Sequence, residues 1–305
     1  MEYKGAYGEL IGERGKGIAT MFAVMNEARN HVARQALGCM EAAFQKAWDY
    51  ATNPESGRRM GRAQPTPASP EKEADLICVH PPVRKLLLRM RSNIAGARML
   101  QLDTALQMDL MKQSNDAAAW ISLMTNIVKA HATHLGSQVT DDAIQVFGGM
   151  GFVEETGIAR HYRDVRVTRI YEGTNQIQAV TLLRQMKHLP VFVKRIEEFT
   201  SQCSHAERAQ QLRDALENVT RVAEALSAKD YNEFASGAEE LLELMAITAL
   251  AYYLARAAQA AQNSAMDKSF LTAKEQDAEF YFAHCLSNHP ALTTRALAGL
   301  DKLAI

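Results

Sequence analysis

Cysteine is scarce in this 305-residue sequence, and its spacing argues against two kinds of site. The four cysteines lie far apart in the chain, at Cys39, Cys78, Cys203 and Cys285. Zinc sites and thiol redox motifs usually need cysteines only a few residues apart. The cysteines are therefore predicted to be scattered core thiols.

An excess of charge of either sign is also absent. Lys plus Arg number 34 and Asp plus Glu number 35, which gives a formal net charge of -1. No overall field then attracts the chain to a polyanion, so nucleic acid is not expected as a partner. The hydrophobic content of 47% and the charged content of 23% are ordinary for a globular protein, which argues against a disordered or fibrous chain.

Long hydrophobic runs are missing as well. The most apolar run, Leu241 to Ala255, contains Glu243 and is shorter than the ~20 residues that cross a bilayer, so we predict a buried helix and no membrane span. The first ten residues lack the basic and apolar regions of a signal peptide, which leads us to expect a cytoplasmic protein.

Metal ligands at a suitable spacing are equally few. His131 and His134 are three residues apart, a spacing that can ligate a metal on a helix. No third histidine, cysteine or paired carboxylate follows at a fitting distance in the sequence. No metal site is predicted.

Prolines are concentrated in one stretch, and the rest of the chain has helical spacing. Six of the eight prolines lie between residues 54 and 82, so the segment 52–82 is predicted to be an irregular connection. Apolar residues recur at helical intervals on both sides of it. They predict helices at 21–50, 83–111, 116–136, 141–147, 157–164 and 174–188, with Thr140 and Thr174 as N-caps.

After Pro190 the composition shifts towards Ala, Glu, Gln and Leu, which are good helix formers. Helices are predicted near 190–202, 205–228, 231–262, 272–287 and 290–303, which together make a second helical layer. Hardly any segment alternates with period two. The fold class is therefore predicted to be all-α, with one strand near Glu9 to Ile11.

Two glycine-marked breaks flank a densely charged segment, and this region is the candidate for chemistry. The first break follows Gln145 at Gly148 and Gly149, and the second is Gly173 beside Glu172. A glycine at a helix end lets another group approach the backbone closely, and the amides at a helix start can hold an anion.

Glu172 lies between an aromatic residue, Tyr171, and a flexible glycine. Its carboxylate could project into an apolar cleft, which is how a general base is tuned. The alternative is an ordinary loop carboxylate that pairs with Arg169 or Arg166. Spacing alone leaves both interpretations open.

Three linked motifs resemble a known family. Gln-x-Phe-Gly-Gly at 145–149, Arg-Asp-x-Arg at 163–166 and Tyr-Glu-Gly-Thr-x-Gln at 171–176 are similar to the C-terminal part of the flavin-dependent acyl-CoA dehydrogenases. The resemblance runs from the glycine-rich opening to about Leu183. The remainder is similar to the extra helical domain of the long bacterial branch, which includes enzymes of the 3-methylmercaptopropionyl-CoA dehydrogenase type.

The resemblance implies three parts: the end of a β-domain at 1–17, a C-terminal helical bundle at 18–188 and an additional helical domain at 189–305. It also implies that the family's N-terminal helical domain and most of its β-domain lie outside this chain. FAD binding by the 305-residue chain alone is then expected to be weak, with a dissociation constant on the order of micromolar or more.

The resemblance further implies an activity and its residues. Glu172 is expected to remove the α-proton of an acyl-CoA thioester while a hydride passes from the β-carbon to FAD. Arg29 and Gly173 are assigned to substrate binding, and Thr174 and Gln176 to contacts with the flavin.

By the same resemblance, Gln145, Gly148 and Gly149 contact the flavin of a neighbouring subunit, so a homodimer or tetramer is expected. An electron-transfer flavoprotein or a similar acceptor would reoxidise the flavin. One departure is that Pro54 stands near the position where the family usually has a pyrophosphate-binding arginine.

Two other interpretations stay open. The chain could be a non-catalytic helical oligomerisation module left by truncation, or one part of a split enzyme whose flavin-holding part is a separate chain.

Overall fold

The computed structural model describes residues 2–303 and confirms the all-α prediction. Within that range no strand is present. The α-helices are α1 (Gly17–Thr52), α2 (Pro81–Leu110), α3 (Asn115–Phe147), α4 (Gly149–Phe152), α5 (Ile158–Arg166), α6 (Asn175–Thr181), α7 (Leu189–Gln202), α8 (Ala206–Ser227), α9 (Tyr231–Ala261), α10 (Lys268–His284) and α11 (His289–Ala296). Short 3-10 helices span Ile77–Val79, Glu154–Thr156, Val167–Arg169, Leu182–His188, Leu286–Asn288 and Leu300–Leu303.

The predicted strand near Glu9 to Ile11 is wrong, because this segment is irregular chain. Its apolar side chains are exposed to solvent: Leu10 is 71% and Ile11 is 80% exposed. A strand is stable only where a neighbouring strand pairs with its backbone N–H and C=O groups. The isolated bridge found in the described residues joins Arg59 and Leu76 instead.

The centre of the bundle is α3, which packs against α1 and α2. The prediction that it breaks after Gly136 and restarts at Thr140 is wrong, because α3 is continuous through both residues. The buried Thr140 hydroxyl donates to the Gly136 carbonyl oxygen over 2.7 Å inside the helix. Gly136 is needed for packing, since a Cβ there would lie 2.7 Å from Val165 Cγ2 on α5 and 3.4 Å from Ala36 Cβ on α1.

The connection between α1 and α2 is irregular, as predicted, and it folds around the carboxylate of Asp75. The backbone N–H groups of Ala63 and Ser69 donate to this carboxylate over 2.7 and 2.6 Å. The bond from Ala63 is the largest cause that holds the pKa of Asp75 below its ordinary value. Arg59 and Arg62 donate to carbonyl oxygens of the same connection. These bonds give a proline-rich segment one defined shape.

The second helical layer is organised by α9, which contacts α2, α3, α6, α8, α10 and α11. At the crossing of α2 and α9, a Cβ on Gly96 would lie 2.8 Å from Leu250 Cγ, so the two layers approach closely. By length and composition α9 is apolar enough to cross a membrane, and 83% of its most apolar window is buried inside the bundle. The core helix of a helical bundle has the same composition, and both layers share one continuous apolar core.

Candidate active site

The turn that carries Glu172 has an unusual backbone. Glu172 has φ +58° and Gly173 has φ +83°, so two successive residues lie in the left-handed region. Glu172 is the one non-glycine residue with positive φ in the described part of the chain. This conformation costs of order 1–3 kcal/mol for a residue with a side chain, and such residues persist where the surrounding structure fixes them.

The face of α3 that carries Lys129 and Thr133 fixes this turn. The buried Lys129 Nζ donates to the Gly173 carbonyl oxygen over 2.7 Å and to Asn175 Oδ1 over 3.1 Å. Thr133 Oγ1 donates to the same Asn175 oxygen over 3.1 Å, and Asn175 Nδ2 donates to the Ala130 carbonyl oxygen over 2.9 Å. Four hydrogen bonds therefore tie the end of the turn to α3.

The start of α6 holds the turn from the other side. Thr174 is the N-cap, as predicted, and its hydroxyl oxygen accepts from the Ile177 N–H over 3.3 Å. The buried Gln178 amide donates to the Glu172 carbonyl oxygen over 2.9 Å. The backbone around Glu172 is thus fixed from both sides.

The Glu172 carboxylate itself is left without a partner. The residue is half-buried, and its Oε2 is a buried atom with no hydrogen bond. Among the described residues no ion pair joins it to Arg166 or Arg169, so the pairing considered in the sequence does not form here. A buried acceptor with free lone pairs is available to an incoming donor or proton.

Two cations face this carboxylate. The half-buried Arg29 guanidinium on α1 donates to Asn26 and Asn126 over 3.1 and 3.3 Å, and its buried Nε has no partner. Burial lowers the pKa of Arg29, and the charge of Glu172 opposes that change. The charges of the predicted Arg29 and the predicted Glu172 therefore interact, although no hydrogen bond or ion pair joins the two side chains in the described residues.

Lys129 is the second cation. Burial is the main cause that lowers the pKa of Lys129 from 10.5 to about 8, with further lowering from the charge of Arg29, while the charge of Glu172 raises it. The sequence reasoning missed this residue. Lys129 is the one Lys, Arg, Asp or Glu between Asp116 and Asp141, and this was the available signal, since lysine is rarely buried without a partner.

The predicted residues at the end of α3 do not join this cluster within one chain. Gln145, Gly148 and Gly149 are exposed, Gly148 has φ +59°, and a Cβ on either glycine would meet no atom within 4 Å. Gln145 lies sixteen residues after Lys129 on α3, which is roughly 24 Å along the axis at 1.5 Å per residue. The open glycine backbone suits the close approach of a ligand, but at a different place from Glu172.

Gln176, a predicted flavin contact, is exposed and donates to Glu239 Oε2 on α9 over 3.0 Å. A cavity of about 440 Å³ lies near this contact, with α3 and α6 on one side and α9 and α11 on the other. Its lining includes His134, Arg169, Glu239, Glu243 and Arg295.

The two histidines considered as metal ligands have other partners: His131 joins α3 to α9, and His134 has a partner within α3. His131 Nδ1 lies 3.0 Å from Glu243 Oε2 on α9, and His134 Nε2 lies 2.9 Å from Gln138 Nε2 on α3. Burial acts to raise the pKa of Glu243, but its interactions with His131, His134 and Arg295 hold that pKa below its ordinary value. In residues 2–303 no group of three or more His, Cys, Asp or Glu is arranged to hold a metal ion.

Two family models match the chain in succession. "Acyl-CoA dehydrogenase, C-terminal domain" matches residues 68–187, and "Acetyl-CoA dehydrogenase C-terminal like" matches residues 192–304. With the fold and the three motifs, these matches define the helical C-terminal part of a dehydrogenase. The chain belongs to the acyl-CoA dehydrogenase family and corresponds to its C-terminal part.

The chain is 38% identical over 188 residues to 3-methylmercaptopropionyl-CoA dehydrogenase of Ruegeria pomeroyi, covering 60% of this chain and 31% of that protein. It is 34% identical over 189 residues to a butyryl-CoA dehydrogenase of Syntrophomonas wolfei, covering 58% and 30%. The chain thus spans about a third of the length of these curated relatives.

A solved structure has the same fold. Caenorhabditis elegans ACDH-11 in complex with C11-CoA is similar with a TM-score of 0.76 at 22% identity, covering 90% of this chain and 46% of that one.

Proposed function

We propose that this chain is the C-terminal part of an FAD-dependent acyl-CoA dehydrogenase in which Glu172 removes the α-proton of an acyl-CoA thioester. The observation that carries the proposal is the buried, unpartnered Oε2 of Glu172 on a strained and firmly held turn. Membership of the family and the names of the relatives, which include a butyryl-CoA dehydrogenase, support the substrate class.

The chain supplies the base and its surroundings. Glu172 accepts the proton that leaves the α-carbon, the β-carbon loses a hydride, and the product is the trans-2-enoyl-CoA. FAD, when bound, supplies the acceptor for that hydride. Arg29 and Lys129 lie near enough to the carboxylate for their charges to interact with that of Glu172. The unpartnered Nε of Arg29 is a donor for the substrate, and Gly173 is the second residue that the proposal assigns to substrate binding.

The flavin contacts fall into two groups. Thr174 and Gln176 would contact a flavin beside Glu172, whereas Gln145, Gly148 and Gly149 would contact the flavin of a second subunit. Gln145 lies roughly 24 Å along α3 from Lys129, which holds the turn before α6, and this spacing supports the division. A homodimer or tetramer, a cytoplasmic location and reoxidation by an electron-transfer flavoprotein or a similar acceptor are parts of the same proposal.

Glu172→Gln tests the role of the base. It removes the proton acceptor and keeps the shape of the side chain, so turnover of acyl-CoA should fall by about 100-fold or more in the flavin-loaded enzyme. Binding of acyl-CoA should change much less. The matched control is Glu155→Gln, which alters an exposed carboxylate outside the turn and should retain turnover. Near-normal turnover of Glu172→Gln would refute the assignment.

The oligomerisation module is distinguished by the flavin. Visible flavin absorbance that bleaches on addition of an acyl-CoA supports the enzyme. A colourless protein that takes up no added FAD supports the non-catalytic module.

A further inference from the structure

Lys129 is an unusual residue in this fold. Its side chain is 0% exposed, yet within the described residues it forms no ion pair at hydrogen-bond distance. Its two acceptors, the carbonyl of Gly173 and the amide oxygen of Asn175, are both neutral. Burying an ammonium group against neutral acceptors costs free energy, so packing alone does not account for a lysine here.

The two acceptors are the residues on which the direction of Glu172 depends. Gly173 is the second left-handed residue of the turn, and Asn175 is the first residue of α6. A charged donor gives stronger hydrogen bonds than a neutral one, and both bonds come from one atom. The ammonium group therefore fixes the turn and the start of α6 relative to α3.

We propose that Lys129 is the positioning residue of the turn, whose buried ammonium group fixes Gly173 and Asn175 and so aims the Glu172 carboxylate. The proposal rests on the proposed function of Glu172 for its catalytic meaning, but its geometry is testable without substrate. Of the two acceptors Thr133 reaches only Asn175, and the other donor to the Gly173 carbonyl oxygen, Gln178 Nε2, lies at a longer 3.3 Å.

The charges around the turn link Lys129 to Glu172. The groups that act on the Lys129 ammonium are Arg29 from α1, and Glu172 and Arg169 from the segment before α6. Glu172 is the one anion among these three. Removal of its charge should therefore make the protonated lysine less stable.

The first experiment is hydrogen exchange in the 305-residue chain. In Lys129→Met, exchange of the Ile177 and Gln178 amides, which donate to Thr174 at the start of α6, should rise about 10- to 100-fold because that start is no longer fixed to α3. Exchange in α1, α2 and α9 should stay unchanged. The matched control, Lys85→Met, alters an exposed lysine on α2 and should leave the turn unaffected. Unchanged exchange at Ile177 and Gln178, or an equal rise throughout the bundle, would overturn the proposal.

The second experiment follows the Lys129 side chain by NMR during a pH titration. Its midpoint, near pH 8 in the wild type, should move lower in Glu172→Gln because the neighbouring anion is gone. A midpoint that does not move would show that Lys129 does not hold the turn close enough for the Glu172 charge to act on its ammonium group, and would overturn the proposal. Neither experiment measures turnover, so their results would still test the position of Lys129 if the catalytic role of Glu172 were disproved.

Discussion

Lys129 should make the stability of the bundle depend on pH above 8. Its pKa is about 8 in the folded chain, against an ordinary value of 10.5. Between these values the unfolded chain holds a proton that the folded chain has released, so the free energy of unfolding rises with pH. The two values differ by about 2.5, which at about 1.4 kcal/mol for each pKa unit gives an upper limit of about 3.5 kcal/mol. The titration is incomplete at both ends of the range from pH 7.5 to 10.5, so the change expected within it is smaller, at about 2 kcal/mol or more.

The measurement compares the wild type with Lys129→Met in urea from pH 7.5 to 10.5. Both tryptophans, Trp48 on α1 and Trp120 on α3, lie in the bundle, so their fluorescence follows its unfolding. Loss of the bonds to Gly173 and Asn175 adds a constant cost to the variant. In addition, the free energy of unfolding of the wild type should rise by about 2 kcal/mol relative to that of Lys129→Met between pH 7.5 and 10.5. The variant of the exposed lysine, Lys85→Met, should show no such change. A difference in free energy of unfolding between the wild type and Lys129→Met that does not vary with pH would refute the reasoning.

Two further predictions concern packing and acid stability. Gly136→Ala should lower the free energy of unfolding by about 1–3 kcal/mol, because its Cβ would lie 2.7 Å from Val165 Cγ2. The control is Gly38→Ala, whose Cβ would meet no atom within 4 Å and which should be neutral or stabilising. Thermal midpoints in the opposite order would contradict this. Burial lowers the pKa of His289 to about 4 from 6.5, so its contribution to stability is complete above pH 6.5 and is lost as the pH falls towards 4. Between pH 6.5 and 5 the free energy of unfolding, measured in urea, should fall by about 2 kcal/mol more in the wild type than in His289→Gln. An equal fall in both proteins would contradict this prediction.

The sequence predicted most helices because their apolar periodicity is a local property. It failed where the deciding contact is distant in the chain. The continuity of α3 through Gly136 and Thr140 depends on α1 and α5, which make a glycine useful in the middle of a helix. The residues near Glu9 to Ile11 have a strand-like composition, but no partner strand lies beside them in the described chain.

The candidate site was predictable in part. Glu172 and Thr174 stand in a short motif, so the sequence itself draws attention to them. Arg29 was assigned by resemblance, and only the fold places α1 beside the turn. Lys129 lies 44 residues before Gly173, and nothing in its own neighbourhood indicates that this carbonyl is its acceptor.

The left-handed backbone at Glu172 has an evolutionary consequence. Glycine adopts this conformation without the strain that a glutamate side chain brings, so selection for stability alone would favour glycine at this position. A lineage that no longer needed the carboxylate could therefore drift to a Gly-Gly turn and gain stability from a single substitution. The fold by itself supplies no reason for a glutamate here, and the residue has a reason to persist only while its carboxylate is in use.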